Sequence, residues 1–165
     1  MSNKDSLLSI EGLLIFNIDG KEYCSDISDI SVVLKLNKEN LQCFQHEKGI
    51  LVFQNRKYKI IDIHEMLKAG YNKVTSNSKI ILFSAYNAHF GFIANRVVEI
   101  ITIDSDFIED FIEFVPSTND GFISGELIIQ SRKILFLDFK RFNKDLKNFN
   151  TLKVTDLPEE EIETT

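Results

Sequence analysis

GILVFQNRKYKIID, residues 49–62, holds a complete small unit of β structure. Gly49 opens an apolar run, Ile50-Leu51-Val52-Phe53, and the polar Gln54-Asn55-Arg56-Lys57 turns the chain. Tyr58-Lys59-Ile60-Ile61 returns, and Asp62 begins a short helix, Ile63 to Lys68, that Gly70 stops. Branched and aromatic side chains suit a pleated, half-buried surface, and a polar break between two such runs marks a hairpin. Asp62 and Glu65 form a D-x-x-E pair. The aspartate accepts from free amides of the first helical turn and the glutamate reaches back.

The same plan recurs in GELIIQSRKILFLD, residues 125–138, at a shift of 76 residues (125 − 49 = 76). That shift carries Gly49 to Gly125, Leu51 to Leu127, Gln54 to Gln130, Arg56 to Arg132, Lys57 to Lys133 and Asp62 to Asp138. Asp138 is then the cap of a last helix running to about Asn148. Upstream of each unit lies another strand pair. Leu13 to Ile18 runs into Asp19-Gly20, a tight-turn signal, with Tyr23 resuming the pattern; Ile80 to Phe83 turns at Tyr86-Asn87-Ala88 into Phe90 to Ile93. Phe16 and Tyr23 match Phe83 and Phe90, a shift of 67 (83 − 16 = 67). Between the strand pair and the unit, the spacing of Ile27, Ile30 and Val33 suits a short helix or turn.

An internal repeat means one supersecondary unit built twice. Each unit has about 70 residues, too few to bury a robust core alone. The expected fold is mainly β: two small closed barrels packed about an approximate two-fold axis. The ends are different in kind. Residues 1–10 are polar apart from Leu7, Leu8 and Ile10, and 151–165 end in the acidic DLPEEEIETT, so both are expected to be flexible and solvated around a globular stretch of 11–150.

Composition fits a packed β protein and excludes several classes. Hydrophobic residues make up 44% of the 165, with 14 Phe and no Trp. The formal net charge is −6, and lysines are scattered, which argues against a nucleic-acid partner. No apolar run approaches a membrane span, and the first residues lack the basic and apolar segments of a secretion signal, so the cytoplasm is the expected compartment. Cys24 and Cys43 then read as reduced core thiols.

No catalytic or metal-binding constellation emerges. His46, His64 and His89 sit in different elements with no ligand-like spacing to the cysteines. Phosphate-cradling glycine motifs are missing, and the isolated glycines fit turns and close approaches. Gly49, Gly125, Asp62 and Asp138 are assigned structural roles, the aspartates as helix caps. No cofactor and no metal are expected. A small β-barrel enzyme or ligand carrier remains an alternative, as does nucleic-acid binding on a small barrel.

The ordered set of segments resembles the CheW family of chemotaxis coupling proteins. Leu14-Ile15-Phe16…Gly20…Tyr23 is similar to its opening strand pair, and Gly49-Ile50-Leu51…Ile60-Ile61-Asp62-Ile63 to its central G…V-D-L stretch. Gly91 to Ile100 resembles a G-L-V-V-D-x-V-x-E-V strand, and Ile123-Ser124-Gly125…Leu137-Asp138 the terminal I-x-G…L-L-D segment. The resemblance implies two intertwined five-stranded, SH3-like β-barrels and a non-enzymatic adaptor. Its implied partners are the regulatory domain of a CheA-type histidine kinase and the cytoplasmic tips of methyl-accepting chemoreceptors, at membrane-associated arrays. Its contact positions fall on Val32, Val33 and Leu34 and on Val52, Phe53, Gln54 and Asn55. Several departures stand out. Gln54 occupies the place of an Arg, Val32 that of a Glu, and Asn95 that of an Asp, while Leu41 to Lys48 lacks the family's Pro. A guanidinium fork offers donors that an amide cannot replace. A CheW-like module of another signalling array, or a decoy with altered partners, is therefore the alternative.

Overall fold

In a computed structural model, the structure describes residues 9–42, 44–45, 49–70, 74–85, 88–104, 112–117 and 122–139. Among the described residues twelve strands form two six-stranded sheets. In chain order they are β1 Gly12–Ile18, β2 Lys21–Asp26, β3 Ile30–Lys35, β4 Phe44–Gln45, β5 Ile50–Phe53 and β6 Arg56–Ile60, followed by β7 Lys79–Ala85, β8 Ala88–Ala94, β9 Arg96–Thr102, β10 Ile112–Pro116, β11 Ile123–Ile129 and β12 Arg132–Leu137. A helix α1, Lys38–Gln42, precedes β4, and α2, Ile63–Met66, follows β6. The last helix from Asp138, the side chain of Cys43, the tail 151–165 and most of 1–10 lie outside the described residues.

The first sheet has the order β10-β11-β12-β2-β1-β9 and the second β3-β7-β8-β6-β5-β4. Each repeat thus contributes to both. The hairpin β1–β2 joins β9 to β12, and the hairpin β7–β8 joins β3 to β6. Each hairpin makes one antiparallel join, to β9 or β3, and one parallel join, which pairs Tyr23 with Leu135 in the first sheet and Phe90 with Lys59 in the second. These two pairs are equivalent: the shift of 67 carries Tyr23 to Phe90, and the shift of 76 carries Lys59 to Leu135. Both sequence shifts are therefore real relations between strands, one for the hairpins and one for the terminal strands.

The resemblance implies five strands per barrel, and among the described residues each sheet has six. The additional strand in the second sheet is β3. The spacing that suggests a helix gives only the 3-10 turn Ile27–Asp29, capped by Asp26, whose side chain accepts from Ser28 N. From Ile30 the chain is extended, with inner and outer positions alternating along ISVVLK.

Three cores follow from these sheets. Leu13, Ile15, Cys24, Leu127, Ile129 and Ile134 fill the inside of the first sheet. Leu36, Leu51, Tyr58, Ile60, Ile80 and Leu82 fill the second. Between the sheets lies the third, built on Leu14, Phe16, Tyr23, Ile81, Phe83, Phe90, Phe92 and Phe139, with Ile61 and Ile63 from the α2 segment. Strands β1 and β7 are buried on both faces, which is why they read as unbroken apolar runs. Phe92 packs its ring 5.4 Å from that of Phe16 and 5.6 Å from that of Phe83, one in each sheet. Such pairs add about 0.5–1.5 kcal/mol beyond burial.

Turns and caps follow local chemistry. Gln54 and Asn55 have φ of 50° and 62°, and Gln130 and Ser131 have 49° and 69°. These are the paired positive angles of the hairpin turn that matches strand twist. Asp62 caps α2 by accepting from Glu65 N at 3.2 Å, as the sequence predicts. Gly49 and Gly125 share a place in the repeat but not a role. Gly49 has φ 63° and its carbonyl accepts from Ile60 N. Gly125 lies within β11 under the ring of Phe114.

Candidate docking surfaces

The seven residues implied as contacts divide by face. Along β3, Val32 and Leu34 are half-buried against the core of the second sheet, and Phe53 at the end of β5 packs against the same core. The structure brings these three together, but inward, so they support the surface rather than form it. Alternation leaves Val33 on the opposite face, 36% exposed. Val52 is half-buried on the other side of β5 from Leu51 and Phe53, and Gln54 and Asn55 are exposed at the turn. The outward candidates are therefore Val33, Val52, Gln54 and Asn55.

Val33 has a counterpart that the sequence does not single out. It pairs with Ile81 across β3–β7, and Ile100 pairs with Leu14 across β1–β9. Residues directly opposite share a face, and both partners belong to the core between the sheets. The shift of 67 carries Leu14 to Ile81 and Val33 to Ile100. Ile100 is 61% exposed. Each barrel thus presents an exposed branched side chain at the same place on an edge strand; the first carries a further one, Val115 on its other edge strand β10, 42% exposed. The only sequence signal for Ile100 is the apolar run Val97-Val98…Ile100-Ile101, which does not tell inner from outer positions.

At the mouth of the first barrel, Arg132 at the start of β12 holds two carboxylates. Its Nη2 lies 2.8 Å from Glu22 Oε2 and its Nη1 2.7 Å from Glu99 Oε1, and Nε adds a bond to Glu22 Oε1. These partners keep the guanidinium pKa above its ordinary value. At the mouth of the second barrel, Ser84 Oγ lies 2.7 Å from His89 Nδ1 and 3.0 Å from Ser31 Oγ. Tyr58 meets the His89 ring edge-on. Burial, with Arg56 nearby, holds the imidazole pKa below its usual range.

A polar hub ties the two sheets. Asn95, between β8 and β9, has a side-chain oxygen that accepts from Asp19 N at 2.9 Å and from His64 Nε2 at 3.1 Å. Since that oxygen only accepts, Nε2 carries the proton. Asp19 Oδ2 in turn accepts from Gly70 N at 2.8 Å. Burial lowers the His64 pKa, against the opposing pull of the Asn95 bond and of Asp62 and Asp19. Burial likewise pushes the Cys24 thiol up.

Among the described residues no group of three or more His, Cys, Asp or Glu could hold a metal ion, and no helix is long and apolar enough to cross a membrane. Asp138 donates its backbone N–H to Phe122 O, where β12 ends.

The arrangement matches known proteins over most of its length. Chemotaxis protein CheW of Bacillus subtilis (strain 168) is 22% identical over 132 residues, covering 76% of this chain and 81% of that protein. The crystal structure of the scaffolding protein TtCheW from Thermoanaerobacter tengcongensis superimposes with a TM-score of 0.58 at 20% identity, over 78% of this chain and 89% of the other. The family model described as a CheW-like domain matches residues 12–146, and the chain belongs to that family.

Proposed function

We propose that this chain is a non-enzymatic adaptor that couples chemoreceptors to a CheA-type histidine kinase at membrane-associated arrays. The carrying observation is the equivalence of Val33 and Ile100, exposed at the same place on the edge strands of two barrels that share one core. Two like surfaces on one body suit a protein that joins two partners, and linking weak contacts raises their combined strength through effective concentration. Val33 would be the apolar centre of one face on the second sheet, with Val52, Gln54 and Asn55 as outward candidates on β5 and its turn, and Val32, Leu34 and Phe53 packed behind against the core. Gln offers no bidentate fork for a carboxylate, so apolar burial would carry that contact.

The test is calorimetric titration of the full chain with the regulatory domain of a CheA-type kinase and, separately, with a chemoreceptor tip fragment. Val33→Asp and Ile100→Asp are each expected to abolish one partner and spare the other. A folded protein that binds neither would overturn the reading.

A further inference from the structure

The two sheets differ in charge although their folds are equivalent. The strands of the second sheet carry Lys35, Arg56, Lys57, Lys59 and Lys79 and no Asp or Glu. Those of the first mix Lys21, Arg96, Arg132 and Lys133 with Glu22, Asp26, Glu99, Glu113 and Glu126. This separation occurs in a chain whose net charge is −6.

The difference is sharpest at one site. Arg56 and Arg132 are equivalent under the shift of 76, and each pairs with the equivalent residue of the preceding strand, Phe53 and Ile129. In the first sheet Glu22 and Glu99 hold Arg132. The shift of 67 places His89 where Glu22 stands and Val32 where Glu99 stands. Arg56 is exposed, and among the described residues no carboxylate lies within ion-pair distance of it. The geometry that closes on itself in one barrel is open in the other.

We infer that Arg56, with Lys57 beside it, receives an acidic side chain of a partner protein, in trans, where Glu22 and Glu99 serve Arg132 in cis. A guanidinium fork matches a carboxylate bidentately. The inference rests on the adaptor reading only in taking the occupant to be a protein.

The experiment measures anisotropy of a labelled oligoglutamate peptide with the full chain at low and raised salt. Binding is expected to weaken with salt and to fall about three- to fivefold in Arg56→Gln. His89→Glu, which supplies a carboxylate from within, is expected to weaken it as well. Arg56→Lys should retain most of the salt-dependent part, and Lys133→Gln, at the equivalent place of Lys57 in the first sheet, should change nothing. Thermal melts check that each variant is folded. Failure of the wild-type chain to bind, or binding indifferent to Arg56→Gln, overturns the inference. Tighter capture of an oligothymidylate of matched charge also overturns it, in favour of a nucleic acid. Kinase-domain binding lost in Val33→Asp but untouched by Arg56→Gln sinks this inference and leaves the adaptor reading. Peptide binding that needs Arg56, with no kinase or receptor binding, does the reverse.

Discussion

His64 donates from Nε2 to the side-chain oxygen of Asn95 across 3.1 Å, and Asp19 N–H shares that acceptor at 2.9 Å. One amide oxygen thereby joins the helix after β6, the first hairpin turn and the step from β8 to β9, three points drawn from both sheets.

Asn95→Ala removes both bonds and leaves the buried His64 donor unmet. Orphaning a buried polar group costs about 1–3 kcal/mol, and urea unfolding should show a loss of that size. Asn95→Asp keeps an acceptor in place, so its loss should be smaller.

Acidification should weaken the fold. Burial favours neutral His64 in the folded protein, so the unfolded chain takes up the proton more readily. Stability is then full above the ordinary histidine pKa of about 6.5. It declines below that value until the pH passes the lowered folded value. His89 is shifted the same way. Urea midpoints measured from neutral to mildly acidic pH should fall, and His64→Gln should show a shallower fall.

Gly125→Ala should be disruptive. A Cβ there would run into the Phe114 ring and lie 2.8 Å from Val115 O. Overpacking of this kind costs about 1–3 kcal/mol. Because the carbonyl cannot withdraw as a ring can, adding Phe114→Leu should restore only part of the lost stability in denaturant titrations.

Arg132→Gln should matter less than its three bonds suggest. The side chains of Arg132 and Glu99 are more than a third exposed, and exposed ion pairs contribute about 0–1 kcal/mol. The expected loss is under about 1 kcal/mol, shrinking as salt is added.

The hairpins, turns and repeat were legible in the sequence because each rests on neighbours in the chain. Asp19-Gly20 and Gln54-Asn55 announce turns, and Leu13 to Phe16 and Ile80 to Phe83 announce strands, which the structure buries on both faces. Which strands share a sheet was not legible, since the parallel contact of Tyr23 with Leu135 leaves no local trace. Within Val32-Val33-Leu34 the outward residue is as apolar as its inward neighbours, so alternation is hidden and the contact set included half-buried residues packed against the core. The Arg132 cluster joins residues 110 positions apart, beyond the reach of any spacing rule.

The exchange of hairpins between repeats gives the two sheets different demands on chain closure. During synthesis β1 and β2 emerge first, yet the strands that complete their sheet, β9 to β12, are made last. The second sheet, β3 to β8, is contiguous in the chain and can close while the ribosome is still at work. Pairing the opening hairpin with β9 and β12 is thus the closure of longest range in the chain.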